Sequence, residues 1–411
     1  MEQTSAPNSV LIVGGGLNGA ALALGLAQAG QAVTLIDALP RETRDTPDFD
    51  GRSYALSLAS IRMLEALGLW DALDGDAQPI LGVKVCDGRV GEGPGPFVME
   101  FDHAELEEGP LGHMIEDRHL RHALLAATAD HPDIAELSAV TVADQSVDDR
   151  AVSVTLSDGT TCEGALLIGA DGRGGAVATR AGIARDVTDY RQSALVCAVA
   201  HELPHHGIAH QFFLPPGPLA ILPLTGNRSS IVWSEETAQA ASIHALDDAQ
   251  FLQVLHPRFG DFLGGITLAG KRYSYPLNRT LARRFVAPRL ALVGDSVRGV
   301  HPIAGQGLNA GLRDCAALAE VLTDARRRGE DIASPLVLER YEIWRRADSK
   351  ALATATDGFN RLFSNDNPLL RLGRGLGLAA VNASPMLRRS FMREAAGLTG
   401  DLPRLMTGAA L

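Results

Sequence analysis

The sequence predicts an α/β fold in which a discontinuous parallel-sheet domain is interrupted by an antiparallel sheet and followed by C-terminal helices. Three observations carry this. A glycine-rich turn joins a strand-like run to a helix-like run near the N-terminus. A second apolar run, at 290–293, ends on Gly294-Asp295 and leads through another glycine turn into a long helical stretch. Between the two, from about 190 to 275, helical periodicity gives way to alternation and turn residues, the pattern of antiparallel strands.

Taken in order, SVLIV at 9–13 is apolar, β-branched and of strand length. GGGLNG follows at 14–19, then an alanine- and leucine-rich helical run to Ala29, closed by Gly30, and a second strand, AVTLID, at 32–37. Gly14, Gly16 and Gly19 therefore form G-x-G-x-x-G in a βαβ setting, which predicts a Rossmann-like dinucleotide site. Asp37, eighteen residues beyond Gly19, stands where an acid accepts hydrogen bonds from a ribose. The glycines and Asn18 argue against a membrane span or signal peptide over 10–29.

A helical stretch covers 57–70, and a turn-rich segment at 79–110 reads as a short β excursion. A helix is expected over 117–129, a strand at 152–156, a hairpin turn at Asp158-Gly159 and a buried strand at 165–168. Strands are expected at 194–200, 210–214, 219–224 and 229–233. In the second glycine turn, HPIAGQGLN at 301–309, Gly305 and Gly307 allow close approach of a ligand to backbone. The helix that follows aims its unpaired N–H groups at that ligand. Pro302 stiffens the entry and Asn309 offers both a donor and an acceptor. His301, before the proline, reads as a loop-orienting group more than a proton carrier.

A net charge of −12 argues against general nucleic-acid binding. Cys86, Cys162, Cys197 and Cys315 form no C-x-x-C and read as reduced thiols of a cytoplasmic protein. His201, His205, His206 and His210 have a metal-like spacing, but Pro204 and Gly207 break any helix that would align them, so no metal site is expected. In the β-rich region Phe212, Phe213, Leu222 and Trp233 are core residues or candidates for lining an aromatic substrate pocket. Residues 360–411 carry seven arginines against three acids, and LLRLGRGLGL at 369–378 fits either a membrane-surface helix or one packed on the domain.

These motifs resemble those of the FAD-dependent aromatic-ring monooxygenases of the p-hydroxybenzoate hydroxylase superfamily. HPIAGQGLNAGLRD at 301–314 resembles the signature of the ubiquinone-biosynthesis hydroxylases. DGRSYALS at 50–57, IGADG at 168–172 and AGKRYSYPL at 269–277 extend the likeness. GPLAILPL at 217–224 and SIVW at 230–233 are similar to the 2-polyprenyl-6-methoxyphenol hydroxylase type.

The resemblance implies FAD as cofactor, dioxygen as co-substrate and NAD(P)H or another electron donor as reductant. It also implies hydroxylation of a hydrophobic prenylated phenol through a flavin C4a-hydroperoxide. FAD would be held by Gly14, Gly16, Gly19, Asp37, Arg52, Arg118, Asp171, Gly294, Asp295, Pro302, Gly305, Gln306, Gly307, Leu308 and Asn309; the family's arginine matching Arg52 lies near the flavin, where its charge could offset the pyrophosphate. The family's Asp-Gly motif usually continues with a serine and an arginine. Here Gly175 and Ala178 stand at those places, with Arg173 and Arg180 nearby, which leaves the reductant open.

The implied layout is an FAD-binding domain in three parts, 1–78, 111–185 and 279–355. A substrate domain contributes 79–110 and 186–278, and 356–411 forms a helical C-terminal region. A related flavoprotein that hydroxylates another aromatic or reduces a prenyl lipid, and a flavin-bearing structural subunit of a quinone-biosynthesis assembly, are the alternatives. The expected location is cytoplasmic, with attachment at the inner face of the membrane as the further possibility.

Overall fold

Short apolar runs flanked by glycines build the sheet that carries the N-terminal turn. The computed structural model describes residues 9–91, 93–299, 305–363, 377 and 379–411. Among these, six strands form one sheet in the order Val286–Ala287, Leu290–Leu292, Leu166–Gly169, Val10–Val13, Val33–Ile36, Ile134–Leu137. All neighbours are parallel except the hairpin at the first edge. Leu11 pairs with Leu167 on one side and Thr34 on the other, and both leucines are fully buried. A strand covered on both faces reads as a continuous apolar run, which is why LIV and LLI lack alternation.

The helix Leu17–Gln28 and the long helix Gln306–Arg327 pack on each other beside this sheet. Gly25 lets Leu405 and Ala319 approach to within ordinary contact, so the C-terminal 3₁₀ turn Arg404–Thr407 closes over them. The strands Val142–Val147, Val152–Leu156 and Thr161–Gly164 form an antiparallel meander. Ser53–Ser57, Gly112–Glu116 and Gln78–Ile80 form a second small antiparallel sheet.

The large sheet is built around Arg185–His201, a strand of 17 residues where alternation alone predicts seven at 194–200. A bulge between Asp189 and Gln192, with Arg191 at φ 55°, bends its first half onto Tyr273–Ala282. Arg228–Glu236, Gly217–Leu224 and Ile208–Leu214 continue the sheet antiparallel. Gly82–Arg89 then joins Ile208–Leu214 in parallel, with Gly93–Asp102 beyond it. The helices Thr237–His244 and Asp248–Phe259 cover one face of this sheet, where Trp233, Ile231, Leu219, Phe251 and Leu255 form a separate core. The opposite face borders a cavity.

Candidate active site

A cavity of about 1530 Å³ lies between the parallel-sheet domain and the uncovered face of the large sheet. Two helix N-termini open into it. Gly16 caps Leu17–Gln28 and Gly305, in the left-handed region at φ 63°, caps Gln306–Arg327. Neither has a side-chain cap or a first-turn acid, so their N–H groups and positive dipole ends are left for a ligand.

The glycines divide into those that pack and those that leave room. A Cβ on Gly14 (φ 106°) would lie 2.4 Å from the Ala170 carbonyl oxygen, and one on Gly19 would lie 1.8 Å from that of Gly14. A Cβ on Gly16, Gly172 or Gly307 meets nothing within 4 Å, and all three line the cavity. Backbone open to the cavity at three separated places is a cradle for a long, phosphate-bearing ligand. Asn18, also on the wall, keeps a buried Oδ1 without a partner among the described residues.

Asp37 accepts from the backbone N–H of Gly15 at 2.6 Å and of Leu39 at 2.8 Å, so its carboxylate braces the turn. Arg44, which the sequence reading passed over, is the arginine seated against this turn. It is buried, donates to the Gly15 carbonyl at 3.1 Å, and pairs with Glu136. Its signal was its place seven residues after Asp37, inside a segment that reads as loop.

Arg52 lines the cavity but is engaged by Asp50 at 2.7 Å and Asp117 at 3.3 Å. Burial alone would lower its pKa, yet these carboxylates raise it. Arg121 also holds Asp117, at 2.6 Å, and Tyr54 donates to the same carboxylate at 2.8 Å. Burial, with Asp117 adding to it, pushes the Tyr54 phenol well above its ordinary value. Two cations and two acids leave this cluster neutral, with Arg52 on the cavity wall. Arg118 is tied to Glu116 and the Pro47 carbonyl, each at 2.8 Å, and does not line the cavity. Arg121, nearly one helical turn on, takes the wall position.

At the distal half, Asp295 lies on the wall, paired with Arg173 at 3.4 Å. Burial raises its pKa against the pull of Arg173 and Arg298. Gly294, at φ 61°, sits over Asn18 and donates to Asp314 at 3.1 Å. Asp314 is fully buried and also takes Arg298 at 2.7 Å and Arg345 at 2.9 Å, so one carboxylate ties three segments together. Asp171 faces away from the cavity. Its carboxylate accepts from Ser296 Oγ and the Val177 N–H, both at 2.9 Å, and a Cβ on Gly175 would collide with it. Its neighbours Gly172 and Arg173 line the cavity.

Gln306, Gly307, Leu308 and Asn309 line the wall, but the Asn309 amide is taken up by Ser57, Ser60, Ala55 and Gly305. Asn309 thus stitches the 305 turn to the 55–60 segment while lining the cavity. Pro302 and His301 lie outside the described residues, as does 369–378 apart from Gly377. Of the proposed pocket residues, Phe213 and Leu222 line the cavity. Phe212 and Trp233 point to the helix-covered face, where Trp233 packs on Phe251, the core reading of these two. His201 and His205 hold turns through the Leu203 and Leu224 carbonyls.

The fold and this cradle define a class: a dinucleotide-binding flavoprotein whose cofactor site opens onto an apolar chamber. A family model described as "FAD binding domain" matches residues 8–356. The chain is 45% identical to ubiquinone hydroxylase UbiL of Rhodospirillum rubrum, over 98% of this chain and 93% of that protein. It is 37% identical to 3-demethoxyubiquinol 3-hydroxylase of Escherichia coli, over 96% and 100%. The p-nitrophenol 4-monooxygenase PnpA of Pseudomonas putida shares the fold, with TM-score 0.80 at 20% identity over 97% and 99% of the two chains. The chain belongs to the FAD-dependent hydroxylases of ubiquinone biosynthesis, and FAD is its cofactor.

Proposed function

We propose that the protein hydroxylates the ring of a prenylated phenol precursor of ubiquinone. The observation that carries this is the continuity of one cavity from the glycine cradle to a chamber walled by Val83, Val85, Met99, Phe213 and Leu222. FAD, when bound and reduced, supplies the activation of dioxygen. One oxygen atom enters the ring in place of hydrogen, and the other leaves as water, with two electrons from NAD(P)H or another donor and two protons, one of them from solvent when the donor is a hydride. The chain's own contribution is to seat the ring at the open glycine turn and to keep water from the reaction. Asp295 and the two helix ends hold the cofactor, and the apolar wall receives the prenyl chain.

Loaded with FAD and given a prenylated phenol under isotope-labelled dioxygen, the protein is expected to place one labelled oxygen in the product. Product without label overturns hydroxylation. Deleting the gene is expected to accumulate a precursor lacking one ring hydroxyl, read by mass spectrometry.

Peripheral attachment to a membrane surface is part of the same proposal. Among the described residues no helix is long and apolar enough to cross a membrane. The helix Pro385–Ala395 buries Met392 on the domain, while Met386, Leu387 and Phe391 are 84%, 46% and 45% exposed. An apolar edge of this kind suits insertion at the headgroup boundary. Replacing all three by serine is expected to cut co-sedimentation with anionic vesicles at least tenfold; unchanged binding counts against the helix.

A further inference from the structure

The chamber wall supplied by the large sheet follows the two-residue period of its strands. Along Ile208–Leu214, Ala209, Gln211 and Phe213 share the chamber face, while Phe212 and Leu214 belong to the helix-side core. Gln211 has Val85 beside it on one neighbouring strand and Ala220 on the other.

Among the described residues, four polar residues of this sheet line the cavity: His210, Gln211, Tyr275 and Arg298, the last taken up by Asp314. His210 turns its ring onto Phe262, 4.5 Å between centroids. Tyr275 sits in the field of Arg52 and Asp50 at the cofactor side. Gln211 is left as an amide in an apolar surround. Its Nε2 is 3.5 Å from the Leu219 carbonyl, the outer limit of a hydrogen bond, and no described group donates to its Oε1.

The half-buried Gln211 amide is satisfied by water only until a ligand fills the chamber, and that ligand must then supply the partner for the amide. The neighbours that could have filled the space beside it are alanines, Ala209 and Ala220, so there is room for a flat ring there. We infer that Gln211 is the specificity residue for the ring: its Oε1 accepts the phenolic O–H of the substrate and fixes which ring edge faces the cofactor. This rests on the reading of the substrate as a prenylated phenol and adds the group that recognises the phenol. A phenol offers the O–H donor that Oε1 lacks, whereas its methyl ether does not.

The test is binding to the FAD-loaded protein, followed by the change in flavin absorbance, for a geranylated 2-methoxyphenol and for the same compound methylated at the hydroxyl. The wild-type protein is expected to prefer the phenol by roughly three- to tenfold, the range of one neutral hydrogen bond. Gln211→Leu, close in size, is expected to bind both about equally, with affinity for the ether unchanged or improved. Gln211→Asn, which withdraws the amide by one methylene, should discriminate less than wild type. Retained flavin absorbance in each variant shows that the fold has survived. Wild type that discriminates while Gln211→Leu discriminates just as well overturns the assignment alone, as does wild type that binds both probes equally. Wild type that binds neither probe overturns the substrate reading and the assignment together.

Discussion

Asn309 uses its whole amide inside the protein. Nδ2 donates to the Ala55 and Gly305 carbonyls, at 2.8 and 3.2 Å, and Oδ1 accepts from the Ser57 N–H and Ser60 Oγ, at 2.9 and 2.8 Å. Truncation leaves buried groups unpaired on two segments, so Asn309→Ala is expected to lose about 3 kcal/mol in urea unfolding and to loosen the glycine turn. A loss below about 1 kcal/mol would show that the stitch is dispensable. His210 gives a pH-dependent counterpart. Burial lowers its pKa from 6.5 to about 4, with Lys84 adding and Glu100 opposing. Between those values the unfolded chain takes up a proton that the folded chain refuses. Stability is therefore full above about pH 6.5 and falls as pH drops toward 4, by roughly 2 kcal/mol after discounting for solvent screening. His210→Phe should flatten the urea midpoint over that window; an unchanged slope would assign it to other groups. At this scale the sequence announced residue types better than their partners. Asn309 lay in a quoted motif, but its partners near residue 57 come from the other end of the chain and become visible only in the fold.

The two helix N-termini do related work with different tolerances. Gly16 heads its helix with open space before its Cα, whereas Gly19 abuts the Gly14 carbonyl. Gly16→Ala is thus expected to keep the apoprotein's thermal midpoint within about 2 °C of wild type and to weaken FAD binding at least tenfold, because the new methyl occupies ligand space. Gly19→Ala should fail at folding instead. Equal FAD affinity in Gly16→Ala, by fluorescence titration, would mean that no ligand approaches that backbone. Both turns were legible in sequence because a glycine turn between strand and helix is a local constraint on backbone. The large sheet was legible in kind and not in detail. Period two says that Phe212 and Phe213 face opposite ways, as do Val232 and Trp233, but not which face a helix pair will cover. The bulge at 189–192 also extended the strand beyond the part marked by clear alternation.

At the scale of the molecule, the proposed cofactor cradle draws on residues near 16, 172 and 305, which only the finished fold brings onto one cavity wall. Buried ties already join these segments. Asp314 links the Gly294 turn, Arg298 and Arg345, and Ser296 donates to Asp171. The large sheet meets the small sheet holding Gly112–Glu116 through Arg228 and Glu116 at 2.7 Å, with Phe49 between Arg118 and Arg228. A ligand spanning all three segments binds the folded chain and not the unfolded one, so it must stabilise by mass action. FAD at a thousand times its Kd is expected to add about 4 kcal/mol, and the thermal midpoint should climb with the logarithm of FAD concentration. Riboflavin, which lacks the adenosine diphosphate, can reach the 305 turn but cannot bridge to the turn at 16, so it should raise the midpoint by much less. A shift with riboflavin equal to that with FAD would show that the N-terminal glycine turn contributes nothing to holding the cofactor, and the cradle would have to be redrawn around its distal half alone.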